Sequence, residues 1–336
     1  MKIFKKFILC ILSTLLIFIS GCSKDGTDTK KENYISGKVH PISEMPSDKS
    51  SDESNESYSQ TDLYISNEED EDDSVSSGYN PEALKGTCGD KITWEIIDNT
   101  IIFSGTGPME DYQYPDEIPW LDQANKLFNS VVIEESITSV GSRAFAGSSC
   151  NIKSITLPNS LTKIGEYAFW TCGFEEINIP DTVVDLGDNA FNSCFYLKEI
   201  NFPSNITTIE PSTCTYCSSL KKVIIPENVK TIGFDAFRNC KFLEEVVLSE
   251  GVESIDWLTF SDCTKLTKIT LPSTLTYIGS QCFANCTALE ELTVPESISY
   301  ISDDAFDNCN KLTIYGKKDS KVESVAEKAK IPFVAN

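Results

Sequence analysis

The chain has 336 residues, with 28 Lys+Arg against 51 Asp+Glu, one His and 13 Cys, for a net charge of −23 at pH 7. That acidity excludes a nucleic-acid binder, since phosphate recognition needs a basic face. The lone His40 excludes most His-dependent catalysis and His-ligated zinc, while 40% hydrophobic residues suffice for a packed core.

The N-terminus opens with Lys2, Lys5 and Lys6, followed by an apolar run from Phe7 to Ser20. That run is shorter than the ~20 residues of a permanent membrane helix, and it ends in small residues as a secretory signal does. Ile19-Ser20-Gly21-Cys22 resembles the lipobox of bacterial lipoproteins. The resemblance implies cleavage after residue 21, acylation of Cys22, and membrane contact through lipid alone. An ordinary signal peptide with a coincidental cysteine is the competing reading.

Residues 23–80 carry 15 Asp+Glu, 5 Lys and 13 Ser, with apolar residues scattered singly. Such a composition buries too little apolar surface to offset chain entropy, so 22–80 is expected to be a disordered acidic tether. The run Glu68–Asp73 lacks the spacing and the glycine of a calcium loop and reads as a solvated, self-repelling spacer. Fully extended, the tether would reach about 200 Å.

Past residue 130 the chain is periodic. LTKIGEYAFWTC, VVDLGDNAFNSC, VKTIGFDAFRNC and LTYIGSQCFANC align without gaps. One column of this alignment runs Phe145, Phe169, Phe191, Cys214, Phe237, Phe260, Phe283 and Phe306, spaced by 24, 22 and then 23 residues. Between these segments lie LKEINFP, LKKVIIP, LEEVVLS, LTKITLP and LEELTVP, whose L-x-x-I-x-L pattern is the strand signature of a leucine-rich repeat. The I-G-x-x-A-F-x-x-C half has apolar spacing nearer a helical turn than a strand. A buried column is expected at Ile164, Leu186, Ile209, Ile232, Ile255, Ile278 and Ile301, and a turn conformation at Gly165, Gly187, Gly233 and Gly279.

The composite repeat resembles the BspA-like (Treponema-type) leucine-rich repeat family, with eight copies over 128–315. The resemblance implies a solenoid of one short strand plus a short helix or turn per 23 residues. It also implies a small β-type N-terminal cap over 81–127, around T-C-G-D-K-I-T-W, and an α/β C-terminal cap over 316–336. End coils of a solenoid need such covering because they would otherwise expose core.

Eight cysteines share one column: Cys150, Cys172, Cys194, Cys217, Cys240, Cys263, Cys286 and Cys309. Neighbours about 4.8 Å apart fall within disulfide range, but stacked side chains point in parallel, so buried free thiols are the favoured reading. Cys214-x-x-Cys217 mimics a redox motif, yet Cys214 merely fills the Phe slot, as Cys282 fills the Ala slot; pairing of these two or of Cys88 stays open. There is no G-x-S-x-G, P-loop or H-E-x-x-H, so no enzyme, catalytic residue, metal or cofactor is expected. Acid pairs Glu175-Glu176, Glu244-Glu245 and Glu290-Glu291 recur at one repeat position and read as charges alternating with lysines in neighbouring coils.

Two surfaces are candidate ligand sites. The strand face has an outward column of Thr156, Asn178, Asn201, Ile224, Val247, Thr270 and Thr293. There Ile224 and Val247 are adjacent apolar residues, flanked by Lys222 and Glu245. The rival surface is the loop before each strand, with Trp170, Phe195, Tyr196, Tyr216 and Phe242. The expected function is a lipid-anchored bacterial cell-surface adhesion or binding protein for an extracellular protein or glycan. A scaffolding lipoprotein of the cell envelope is the alternative.

Overall fold

The computed structural model describes residues 84–121, 127–148 and 151–336. All lie in the second of two units of the chain, Ser74–Asn336. The expected signal peptide, Cys22, the acidic tether and Cys150 fall outside the described residues.

Alternation of inward and outward residues builds the first ladder. In Glu176–Asn178, Glu199–Asn201, Lys222–Ile224, Lys268–Thr270 and Glu291–Thr293 the middle apolar residue is buried and its two neighbours are exposed. Where strands of adjacent coils pair, they do so in parallel and on equivalent residues: Lys222 on Glu245, Val223 on Val246, Ile224 on Val247. A second ladder of two-residue strands runs on another face. It includes Lys163–Ile164, Asp185–Leu186, Thr208–Ile209, Thr231–Ile232, Ser254–Ile255, Tyr277–Ile278 and Tyr300–Ile301. Their second residues are the expected aliphatic column, and all of them are buried. The molecule is therefore a leucine-rich repeat solenoid.

The Phe column fills the space between the ladders. Phe145, Phe169 and Phe191 stack at centroid distances of 5.6 Å, and Phe237, Phe260, Phe283 and Phe306 continue at 5.5–5.7 Å. Each such ring pair is worth about 0.5–1.5 kcal/mol beyond its area burial. Cys214 interrupts the column. There Phe202, on the preceding strand's exit, turns edge-on to Phe237 at 6.2 Å.

The segment carrying the Phe and Cys columns forms turns, not a helix. In all coils but the last, two residues hold the left-handed conformation four positions apart, as in Tyr167 and Thr171, Asn189 and Ser193, Asp235 and Asn239, and Gln281 and Asn285. These tight turns replace the expected helical spacing.

The glycine column precedes these left-handed residues, the Gly165 and Gly233 carbonyls accepting from the Ala168 and Ala236 amides, but it does not itself take the turn conformation expected of Gly165, Gly187, Gly233 and Gly279. None of the four has positive φ. Glycine is needed because the preceding coil lies too close. A Cβ on Gly165 would sit 2.4 Å from the Ser142 backbone nitrogen, and one on Gly279 would sit 2.4 Å from that of Trp257.

At the N-terminal end Ile92–Ile97 and Thr100–Gly105 form an antiparallel hairpin, whose second strand pairs in parallel with Ser130–Ile133. Trp120 lies edge-on to Phe103 at 4.8 Å and donates its indole N–H to the Ala144 carbonyl at 3.0 Å. At the C-terminal end Thr313–Gly316 pairs with Phe333–Ala335, and helix α1 (Lys321–Ala329) buries Val322, Val325 and Ala326. Ser320 accepts from the Glu323 amide at the helix start, and Lys330 closes it in the left-handed conformation.

Candidate binding surfaces

The first ladder carries two exposed rows. In one, Thr156, Asn178, Asn201, Ile224, Val247, Thr270 and Thr293 all face solvent. Asn201 Nδ2 donates to Asn178 Oδ1 at 3.2 Å. Ile224 and Val247, 56% and 38% exposed, stand in register as an apolar pair among polar neighbours. In the other row Glu245 sits between Lys222, at 2.9 Å, and Lys268, which hold its carboxyl below the usual carboxylate range. Exposed ion pairs of this kind contribute little to stability, because solvent and salt screen them. They order the row without occupying the space in front of it.

The alternation of charge in this row has one exception. Glu176 and Glu199 are directly paired residues of adjacent strands. Like charges placed so are repulsive. Glu175, in the next row, pairs with Lys198 at 2.6 Å. Among the described residues neither Glu176 nor Glu199 makes an ion pair.

A hollow of about 640 Å³ opens at this exception, lined by Lys153, Gly173, Glu175, Glu176, Tyr196, Lys198 and Glu199. Its origin is an irregularity in loop length. From the column Phe to the residue leading the next strand there are seven positions in Phe145–Ile152, five in Phe169–Phe174 and six in Phe191–Leu197. The short middle loop is recessed at Gly173. Across it Lys153 reaches the Tyr196 ring, its Nζ 4.9 Å from the centroid.

The loop aromatics do not form one cluster. Phe195, Tyr196 and Phe242 are exposed, while Trp170 and Tyr216 are partly buried. Trp170 stands edge-on to Tyr167 at 6.2 Å, and Arg143 lies over that tyrosine at 4.8 Å. Tyr196 belongs instead to the strand-face hollow, so the two expected surfaces meet at one residue.

A further aromatic set lies along the second ladder and escaped the sequence reading. Tyr277 stacks on Tyr300 at 4.9 Å, and Phe234 packs against Trp257 at 5.1 Å. The repeated Tyr-Ile of Tyr277-Ile278 and Tyr300-Ile301 was the available signal.

The described column cysteines are buried and unbridged, as are Cys88, Cys214 and Cys282. Each column thiol donates to the carbonyl of the Phe column one coil back: Cys194 to Phe169 at 3.1 Å, Cys217 to Phe191, Cys263 to Phe237 and Cys286 to Phe260 at 3.2 Å, and Cys309 to Phe283 at 3.0 Å. Burial drives the thiols of Cys214, Cys240, Cys263, Cys282 and Cys286 well above the usual range and that of Cys309 up to about 11. Among the described residues no group of three or more His, Cys, Asp or Glu is placed to hold a metal, and no helix is long and apolar enough to cross a membrane.

The sequence profile of the BspA type leucine-rich repeat region matches residues 123–244 and 208–329, in six copies. The chain belongs to the BspA-type leucine-rich repeat family. A leucine-rich repeat protein from Bacteroides ovatus is 21% identical with a TM-score of 0.51, over 68% of this chain and 70% of its own, and shares the fold. A T. pallidum leucine-rich repeat protein is 26% identical over 60% and 90% of the two chains, with a TM-score of 0.48. A leucine-rich cell surface protein from Faecalibacterium prausnitzii is 20% identical over 73% and 98%, with a TM-score of 0.39. No curated protein matches the chain.

Proposed function

We propose that this BspA-type protein is a binding module held at a bacterial cell surface by lipid on Cys22, its acidic tether lifting the solenoid off the membrane to meet an extracellular protein or glycan. The carrying observation is the first ladder. It offers in-register rows of exposed side chains along a face roughly 30 Å long, with the apolar pair Ile224 and Val247 near its middle. No enzymatic step is assigned. The anchor rests on Ile19-Ser20-Gly21-Cys22 and the apolar run before it.

Metabolic labelling with an alkynyl fatty acid is expected to mark the wild type and not Cys22→Ser. Equal labelling and membrane retention of the variant would remove the anchor. The binding half is tested on a protein and glycan array with two variants checked for folding by circular dichroism. Ile224→Asp/Val247→Asp is expected to lose protein ligands, and Trp170→Ala/Tyr196→Ala to lose glycans. Full retention by both folded variants would show that neither surface binds. Ligands found only among the cell's own envelope components would favour a scaffolding lipoprotein.

A further inference from the structure

We infer that the hollow between Lys153 and Tyr196 is a docking point for a Lys or Arg side chain of a basic peptide, received by Glu176 and Glu199. The inference deepens the binding reading by naming the chemistry of one partner.

The lining groups divide by whether they are already engaged. Lys198 is paired with Glu175 at 2.6 Å, and Lys153 rests on the Tyr196 ring at 4.9 Å. Glu176 and Glu199 remain, two exposed carboxylates on adjacent strands and in register. Strand spacing puts their backbones about 4.8 Å apart. That arrangement costs repulsion energy in the free protein and is relieved by one shared cation. A guanidinium, planar and rich in donors, can bridge two carboxylates, and an ammonium can do so as a point charge.

Tyr196 supplies the wall. It is 48% exposed although Lys153 lies over it, so ring surface remains for the stem of a long basic side chain. The recess comes from the short loop at Gly173, which no other coil shares: from Phe191 onward the column residue and the leading Leu of the next strand stay six positions apart. The net charge of −23 favours approach of a cationic partner over an anionic one.

The test is calorimetric titration of the full chain in detergent with acetylated pentaarginine amide at about 150 mM salt. Acetylated pentaglutamate amide and maltohexaose serve as the anionic and neutral probes. Glu176→Gln/Glu199→Gln is expected to raise Kd about tenfold or more, and Tyr196→Ala about threefold. Glu134→Gln/Glu227→Gln removes the same charge from exposed carboxylates elsewhere and is expected to change Kd by less than about twofold. Equal weakening by the control pair would reveal diffuse attraction to an acidic protein and overturn the site. Unchanged binding by Glu176→Gln/Glu199→Gln, or tighter binding of pentaglutamate or maltohexaose, would do the same. Failure here leaves acylation at Cys22 and array binding through Ile224 and Val247 untouched, since neither measurement uses these probes.

Discussion

A buried thiol in this column is a hydrogen-bond donor as well as a small apolar group, and both roles need the proton. Cys263 is fully buried and donates to the Phe237 carbonyl at 3.2 Å. Burial raises its pKa well above 9. Its contribution to stability is full below the unfolded value and is lost as pH rises through the folded one, so alkaline pH loosens the stack. Since the thiolate is the reactive form, native protein is expected to react slowly with a thiol reagent, and denatured protein to expose its thiols without reductant. Stoichiometric disulfides in non-reducing mass spectrometry would contradict this. Cys263→Ala is expected to cost about 1–2 kcal/mol in urea unfolding, from lost packing and an unpaired carbonyl. Glu210 is the opposite case. It stands in the glycine column, and burial with Asp188 and Asp185 nearby pushes its carboxyl up to about 7. Below an unfolded value near 4.5 it costs nothing, and the cost is complete once pH passes the folded value. Discounted for solvent screening of its exposed part, Glu210→Gln is therefore expected to stabilise by about 1–2 kcal/mol near pH 8 and hardly at all near pH 4. Equal unfolding midpoints of wild type and variant near pH 8 would refute the assignment.

Within a coil, what the sequence reveals depends on whether a residue's reason lies in its own coil or in the one beneath. The Phe, Ile and Cys columns were legible because burial repeats every 23 residues and one copy predicts the next. The glycines were misread because their constraint is the backbone of the preceding coil, which no single-repeat pattern displays. Gly279→Ala is accordingly expected to cost about 2–3 kcal/mol, because its Cβ would meet the Trp257 nitrogen at 2.4 Å. Ser302→Ala, where the same column already holds a Cβ, is expected to cost only about 1 kcal/mol, from the hydrogen bond its hydroxyl donates to Asp304. Comparable destabilisation by both would restore a conformational role for the glycine. Cys214 raises the same issue for volume. Its small side chain looked like a lone deviation, but Phe202 occupies neighbouring space and meets Phe237 edge-on. Cys214→Phe alone is expected to overpack by about 1–3 kcal/mol, and Phe202→Ile to recover much of that in the double variant. Strict additivity in the double-mutant cycle would mean the two positions do not share space. The hollow, too, was only half legible. The spacings of 24 and 22 announced an irregularity, but the overhang of Tyr196 depends on three coils together.

At the scale of the whole molecule a solenoid is only as cooperative as its weakest interface, since each coil touches only its neighbours. One interface here lacks what the others have. In six coils the residue of the glycine column donates its amide to the aliphatic column one coil back: Gly165 to Val140, Gly187 to Ile164, Gly233 to Ile209, Asp256 to Ile232, Gly279 to Ile255 and Ser302 to Ile278, at 2.8–3.1 Å. Among the described residues no such bond joins Glu210 to Leu186, and Asp185–Leu186 does not pair with Thr208–Ile209. The first ladder is interrupted there too, between Glu199–Asn201 and Lys222–Ile224, as it is between Ser154–Thr156 and Glu176–Asn178 and between Lys268–Thr270 and Glu291–Thr293, so the missing rung of the second ladder is what sets this interface apart. The ring column breaks at Cys214, and the carboxyl of Glu210 is partly buried in the same coil. Local opening is drawn from such sites of few backbone bonds and poor packing. Hydrogen exchange is therefore expected to be faster in peptides over residues 204–214 than in the equivalent 227–237 and 250–260. Glu210→Gly, which removes the carboxyl and leaves the column's usual residue, is expected to slow that exchange by about tenfold. Uniform protection across the three segments, or a Glu210→Gly variant that exchanges as the wild type does, would mean that the stack opens elsewhere and that the missing rung has no energetic consequence.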